Sequence, residues 1–271
     1  MLWGGIYPAA KIALGDIPFL GFTGLRVALA AVLLLALTGG GLGQRLATAD
    51  RRLLLGAGLA QTAFQLLLVA GVTLAGAGQT AILVATAPLM TAVWSVLVRG
   101  ESLAPRQWYG VGLGLLGVGL VVQAGLAGLM TGTAIGSLLA LGAAAAWAWY
   151  SLAVGPVVGA LGSIRATAVT MAIAAVLILP LALPQIAELR WGSVPWYAWA
   201  GLAYGATFGM AVAMALWGAA VHELGPTRTM IYAYLEPVSA VIIAALLLGE
   251  SLASGQILGA LVVFAGVWLA A

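Results

Sequence analysis

Apolar residues fill this chain in long continuous stretches, without the regular polar positions that mark the surface of soluble helices and strands. Residues 53–98 and 107–164 contain no Asp, Glu, Lys or Arg, and each stretch is long enough for two membrane spans of about 20 residues. Backbone groups in hydrocarbon require helices or a closed barrel, and barrel strands would alternate in polarity over about ten residues. The pattern therefore predicts an all-α integral membrane protein.

The apolar stretches divide into ten predicted transmembrane helices joined by short loops. Their ranges are 2–14, 19–38, 53–74, 78–98, 107–124, 133–154, 164–183, 196–217, 228–248 and 254–271. The first range is too short to cross a hydrocarbon layer of about 30 Å at about 1.5 Å per residue. We expect further residues before it, and the alternative is that the first helix begins inside the membrane. No loop is long enough to hold a soluble domain.

The pattern of helices occurs twice along the chain. A shift of 149 residues aligns about two helices without a gap, placing Thr80 on Thr229, Pro88 on Pro237, Gly100-Glu101 on Gly249-Glu250, and Gly117 on Gly266. We predict one five-helix repeat over 1–124 and a second over 133–271. Because five is odd, the second repeat lies inverted in the membrane, as in many secondary transporters.

Composition and charge agree with this class and exclude others. The chain is 64% hydrophobic and 6% charged, whereas soluble domains are roughly a quarter charged. Basic residues gather in the loops after the even-numbered helices, which explains the net charge without a nucleic-acid partner and places both termini in the cytoplasm. With no cysteine and one histidine, a His/Cys metal cluster is excluded. We expect no metal, no cofactor and no enzymatic activity.

Glycines recur in the fifth and tenth predicted helices. Both helices carry a G-x-x-x-G spacing, at Gly110/Gly114 and Gly255/Gly259, which permits close approach of two helices. The favoured interpretation is packing within the bundle, and the alternative is a homodimer interface.

Glu236 is the acidic residue buried deepest in the predicted spans. It lies eight residues into the ninth helix, about 12 Å deep at helical rise, where an ionised group costs a few kcal/mol unless it faces a cavity or a partner. We interpret it as a site for a cation, a proton or a substrate ammonium, with a structural, protonated or ion-paired glutamate as the alternative. Tyr232 lies one turn earlier on the same face. Pro237 and its equivalent Pro88 predict helix kinks.

Polar and aromatic side chains form stripes on other helices, and these stripes are predicted to surround one amphipathic cavity. The predicted lining is Trp3, Tyr7, Lys11, Gln61, Gln65, Trp147, Tyr150, Tyr204 and Phe208. Lys11, in line with Trp3 and Tyr7, is a candidate ligand for a substrate carboxylate, with snorkelling as the alternative. Arg26 is a second candidate for that carboxylate, but for it the favoured interpretation is snorkelling to the outer interface or pairing with Asp16.

Several of these residues match a known family: Trp3-Gly4 with Lys11, Arg26, Pro88, Glu236-Pro237, and the Gly-Glu pairs at 100–101 and 249–250. The chain resembles the EamA-type transporters of the drug/metabolite transporter superfamily, and among them the bacterial aromatic amino-acid exporters. The resemblance implies ten helices, two inverted five-helix repeats, and export of small metabolites or drugs.

We therefore predict an inner-membrane exporter of small metabolites that works by alternating access. Amino acids, including aromatic ones, are the favoured substrates, because aromatic residues and charges of both signs are predicted at one cavity. The first alternative is an exporter of cationic or lipophilic drugs, which would use Glu236 and the aromatic residues but not Lys11. A more distant alternative is a membrane-embedded enzyme, which would need a second buried acid beside Glu236.

Overall fold

Regular structure in the described part of the chain is helical throughout. The computed structural model describes residues 2–39, 50–100, 104–126, 131–224 and 253–270, with isolated positions 102, 243, 246 and 249. The helices are α1 (Ile6–Ala13), α2 (Phe19–Leu37), α3 (Arg51–Ala75), α4 (Ala77–Val84), α5 (Ala87–Arg99), α6 (Pro105–Leu126), α7 (Thr131–Leu161), α8 (Ser163–Glu188), α9 (Trp196–Tyr204), α10 (Ala213–Leu224) and α11 (Ser254–Ala270). A 3-10 turn at Trp191–Ser193 precedes α9, and a π-helical segment, Gly205–Val212, joins α9 to α10.

Five stretches of helix are long and apolar enough to cross a membrane. They are Phe19–Leu37, Arg51–Ala75, Thr133–Leu161, Ser163–Glu188 and Trp196–Trp217, and α11 adds a shorter apolar stretch at Ile257–Leu269. The prediction of a helical membrane protein is confirmed at this level. Of the ninth predicted helix, 228–248, the structure describes only isolated positions.

Single glycines separate two pairs of consecutive helices. Gly76 (φ +85°) stands between α3 and α4, and Gly162 (φ +80°) stands between α7 and α8. Residues with a Cβ rarely adopt this backbone conformation, so glycine allows one residue to end one helix and begin the next. At the other end of α3, Asp50 Oδ1 accepts hydrogen bonds from the N–H groups of Arg52 (2.8 Å) and Leu53 (3.3 Å) and caps the helix.

The fourth predicted helix is broken in its middle. The turn Ala85–Thr86 separates α4 from α5, and Pro88 is the second residue of α5. Proline has no N–H to donate to the carbonyl of Val84, and its ring would clash with that carbonyl in a continuous helix. The Thr86 hydroxyl instead donates to Leu83 O at 2.7 Å. The helix is therefore broken at the position where Pro88 predicts a kink.

Neighbouring helices pack in antiparallel pairs, α1 with α9, α2 with α8, and α3 with α7. In the second pair the Gln185 side chain, near the end of α8, accepts hydrogen bonds from Leu20 N (2.8 Å) and Gly21 N (3.1 Å) at the start of α2. The first N–H groups of a helix have no partner within it, so a glutamine from the adjacent helix satisfies them inside the bundle.

Helices α6 and α11 form the other extensive pair, and glycines make their contact. A Cβ added at Gly117 would lie 2.8 Å from Gly259 O and 2.5 Å from Val263 N, and one added at Gly266 would lie 2.7 Å from Gly110 O. The contact is reciprocal, because Gly259 and Gly266 are the repeat equivalents of Gly110 and Gly117. The contact also shows that the two helices are antiparallel, since a residue toward the end of each helix lies against a residue toward the start of the other. These glycines therefore pack within the chain.

Candidate substrate cavity

A partly enclosed cavity, here called the central cavity, lies between the described helices, beside the break between α4 and α5 and the π-helical segment. Its lining comes from α1 to α5, α7, α8, the π segment and α10, and consists of Trp3, Ile6, Tyr7, Arg26, Phe64, Gln65, Leu68, Ala81, Val84, Ala85, Ala87, Pro88, Trp147, Met171, Gly209, Met210 and Met214. Its volume is about 70 Å³, which is room for more than one water, because a single water needs at least about 10–15 Å³.

Arg26 is the charged residue of this lining, and its side chain is 1% exposed. Its Nη2 donates a hydrogen bond of 2.6 Å to Gln65 Oε1, and its Cζ lies 5.2 Å from the centre of the Phe22 ring. Its Nε is buried and has no hydrogen-bond partner among the described residues. Since a buried cation is costly without an anion, this guanidinium retains capacity to bind one.

The observed position of Arg26 therefore differs from the favoured interpretation, in which Arg26 lies at the outer interface or pairs with Asp16. The residue lies seven positions after the start of α2, about 10 Å along the helix, and its stem points into the bundle. A Cβ at Gly205 would lie 2.9 Å from Arg26 Cδ, so the absence of a side chain at Gly205 makes room for the stem. Asp16 is exposed to solvent.

Aromatic rings cluster on one side of the cavity. Trp147 is the centre of this cluster, with ring-centre distances of 5.7 Å to Trp3, 5.0 Å to Phe64 and 5.2 Å to Tyr150, the last pair stacked. Trp217 of α10 completes it at 5.1 Å from Trp3. Such rings at about 5–6 Å attract one another and offer flat apolar faces to a ligand.

The π-helical segment is tied to the beginning of the chain. Trp3 Nε1 donates to Gly209 O at 2.9 Å, and the Tyr204 hydroxyl donates to Leu2 O at 2.9 Å. A π-helix displaces the usual backbone hydrogen bonds and is frequently found at functional sites. Here it turns a carbonyl toward Trp3 and so fixes one aromatic ring of the cavity.

Four of the predicted lining residues border the cavity, namely Trp3, Tyr7, Gln65 and Trp147, together with Pro88. The structure places five others elsewhere. Gln61 and Tyr150 are buried one layer behind the lining, where Gln61 Nε2 donates to Met171 Sδ at 3.6 Å. Tyr204 binds Leu2 O, and Phe208 packs on Tyr204 with 49% of its surface exposed. Lys11 is half-buried and lies outside the lining, because only the residues before it, from Trp3 to Tyr7, reach the cavity.

The structure also brings residues to the cavity that the sequence did not single out. Phe64, Met171, Met210 and Met214 line it, and Trp217 joins the aromatic cluster. Methionine is flexible and adapts to ligands of different shape. In the sequence of an apolar helix, however, nothing distinguishes a methionine that lines a cavity from one in the hydrophobic core. Phe64 had a weak signal, since it neighbours Gln65.

Glu236, Tyr232 and Pro237 lie outside the described residues. Among the residues that are described, no group of three or more His, Asp or Glu side chains is positioned to hold a metal ion. The charge that the described structure brings to the cavity is therefore the Arg26 cation.

Comparison with known families decides the family of this chain. The sequence model of the EamA-like transporter family matches residues 1–123 and matches again over residues 134–271. The chain belongs to the EamA-like transporter family. The resemblance read from the motifs is thereby confirmed.

Similar proteins of this EamA-like transporter family come from several bacteria. The uncharacterized inner membrane transporter YedA of Escherichia coli (strain K12) is 29% identical over 93% of this chain and 81% of its own length. A probable terminal-alkyne amino-acid exporter of Streptantibioticus cattleyicolor is 27% identical over 98% of this chain and 89% of its own. The uncharacterized transporter YyaM of Bacillus subtilis is 25% identical over 66% of this chain, and the matched part covers only 59% of the length of YyaM.

The fold of this EamA-like transporter also matches a solved crystal structure. The TM-score is 0.69 at 18% sequence identity, over 99% of this chain and 93% of the other. At this identity the likeness concerns the fold alone, and it extends over almost the whole of both chains.

Proposed function

We propose that this protein exports small metabolites, above all amino acids including aromatic ones, across the inner membrane. The observation that carries the proposal is the central cavity, where the Arg26 guanidinium and the aromatic cluster around Trp147 border the same space. A substrate that places a carboxylate beside Arg26 and an aromatic ring against Trp147 would be complementary to this lining. A probable terminal-alkyne amino-acid exporter among the relatives supports an amino acid as the substrate.

In this proposal Arg26, rather than Lys11, holds the substrate carboxylate. Arg26 is buried, borders the cavity and has an Nε without a partner among the described residues, whereas Lys11 lies outside the lining. Glu236 holds the substrate ammonium, as its depth in the ninth predicted helix suggests. Replacing Glu236 with Gln should then weaken transport strongly in a protein that still folds, and unchanged transport would remove Glu236 from the site.

Alternating access between two inverted five-helix repeats is the proposed mechanism. The double match of the family supports a repeat over 1–124 and 133–271. The helix pairs support it as well. The predicted repeat makes α1 the equivalent of α7, α2 of α8, α3 of α9, and α6 of α11. The observed pair α1–α9 is then equivalent to the observed pair α7–α3. Each of the pairs α2–α8 and α6–α11 joins two equivalent helices. The helix broken at Pro88 borders the cavity, as discontinuous helices do in such transporters. Both termini lie in the cytoplasm in this proposal, as the basic loops predict.

Arg26 also bears on the alternatives. A cationic drug in this cavity could pair with Glu236 but would leave the buried cation of Arg26 without an anion, which costs binding energy, whereas a zwitterionic metabolite would neutralise both charges. The proposal therefore favours amino acids over quaternary ammonium compounds. A membrane-embedded enzyme, the more distant alternative, would need reactive groups that the described lining does not provide.

Uptake of labelled tryptophan into proteoliposomes tests the proposal, with protein-free vesicles as the reference and with and without a pH gradient. We expect saturable uptake that excess unlabelled phenylalanine blocks and that a quaternary ammonium dye does not. The effect of the gradient distinguishes proton coupling from facilitated transport. Uptake of the dye without uptake of tryptophan, by folded protein, would establish the drug exporter instead.

A further inference from the structure

A second concavity lies where α2 ends and α8 begins. This groove is open at one side, and its volume is about 610 Å³. One wall is apolar and comes from the end of α2, the start of α8 and the π segment with α10, including Leu37, Ile164, Val212, Ala215 and Leu216. The groove shares no residue with the central cavity, so it is a separate feature of the molecule.

The polar end of the groove holds hydrogen-bond donors that no described residue engages. Arg165 Nη2 donates to Thr38 O at 3.2 Å, but Arg165 Nε and the Ser163 hydroxyl oxygen are buried without a partner among the described residues. Gly162 precedes α8 and provides no side chain to cap it. Guanidinium, hydroxyl and first-turn N–H groups together match the oxygens of a phosphate.

The apolar wall continues onto the outer surface of the bundle. Leu216 is 59% exposed and Val212 is 41% exposed, on the helical stretch Trp196–Trp217, which is long and apolar enough to cross the membrane. In a bilayer, exposed side chains on such a stretch contact acyl chains rather than water. The groove therefore joins a phosphate-like site to a surface that fits an acyl chain.

Other charges at this end of the bundle are mostly basic. The start of α3 packs here, because Leu54 shares an apolar cluster with Leu161, and the exposed side chains of Arg51 and Arg52 lie at that start. Asp50 directs its carboxylate to the backbone N–H groups of α3. The loop charges predict that this end is cytoplasmic, where the leaflet is rich in anionic lipids.

We propose that this groove binds one anionic phospholipid. Its phosphate accepts hydrogen bonds from Arg165, Ser163 and the start of α8, and one acyl chain lies along Val212 and Leu216. The anionic headgroup is attracted by Arg165, with Arg51 and Arg52 adding to the positive potential. The lipid site does not depend on the proposed transport function, since it uses none of the residues of the central cavity.

Native mass spectrometry of the delipidated full chain tests this proposal, with phosphatidylglycerol and phosphatidylcholine of identical acyl chains as probes. We expect one phosphatidylglycerol to be retained more tightly than phosphatidylcholine. Replacing Arg165 with Gln should lower that affinity about fivefold, the effect of about 1 kcal/mol for one basic residue near a membrane surface. Arg165→Lys should retain most of it, and Arg190→Gln, in the segment between α8 and α9, is the matched control.

A second variant keeps the test decisive if Arg165→Gln does not fold. Ala215→Trp fills the apolar groove and leaves Arg165 in place, so it should also reduce lipid retention while the thermal midpoint shows folded protein. Equal retention of the two lipids by the wild type, or unchanged retention in both groove variants, would overturn the proposal. Displacement of the lipid by inorganic phosphate alone would overturn it too, because the groove would then bind a free anion.

Discussion

The guanidinium of Arg26 donates a hydrogen bond of 2.6 Å to the side-chain oxygen of Gln65, which joins α2 to α3 at the central cavity. A neutral amide orients a cation but does not neutralise it. The positive charge of Arg26 has no acidic partner among the described residues and therefore stays available to a ligand that carries a carboxylate. This pair leads to the first two predictions.

Replacing Arg26 with Gln should lower tryptophan transport about tenfold or more, because the substrate carboxylate loses its buried charge partner. Arg26→Lys should restore only part of the activity, since an ammonium lacks the planar fork of a guanidinium. Initial uptake rates in proteoliposomes measure the effect, and Arg190→Gln is the control. A larger loss in Lys11→Gln than in Arg26→Gln would assign the carboxylate to Lys11 instead.

Replacing Gln65 with Glu should raise stability and lower transport. The new carboxylate would form an ion pair with Arg26 in a buried position and so occupy the charge that the substrate needs. The thermal midpoint in detergent should rise while tryptophan uptake falls. Transport at the wild-type rate in this variant would indicate that Arg26 has a structural role only.

Trp147 should determine the preference for aromatic substrates. Because an aromatic pair contributes about 0.5–1.5 kcal/mol beyond burial, Trp147→Leu should reduce the uptake ratio of tryptophan to alanine by about twofold to tenfold. Trp149→Leu is the matched control on the same helix, as that ring packs against Trp94 and not in the cavity. The same ratio in both variants would contradict a role for the aromatic cluster in selection.

The contact between α6 and α11 should be sensitive to a single methyl group. A Cβ at Gly117 would lie 2.5 Å from Val263 N, whereas one at Gly119 would have no neighbour within 4 Å. Gly117→Ala should therefore destabilise the protein by about 1–3 kcal/mol, and Gly119→Ala should have little effect. Thermal unfolding in detergent compares the two, and equal midpoints would mean that the helices do not approach so closely.

Much of the architecture follows from the sequence by itself. In a membrane every backbone polar group must be satisfied within its own helix, so an uncharged apolar stretch has one structural outcome and its length sets the span. The break near Pro88 follows in the same way, because proline lacks a donor wherever the helix lies. The close approach at Gly110 and Gly117 is likewise encoded locally, by residues without a Cβ.

The lining of the cavity could not be predicted from the sequence, because it depends on how helices far apart in the chain are rotated relative to one another. Arg26 was expected at the interface, but Gly205, which lies 179 residues later in the chain, leaves the space that admits its stem. Lys11 shares a helix face with Tyr7, yet the cavity ends before it. The sequence by itself therefore determined a helical membrane protein, the five long apolar spans that the described residues show, and its family. Only the tertiary structure decided which cation faces the cavity, because that choice depends on contacts between helices.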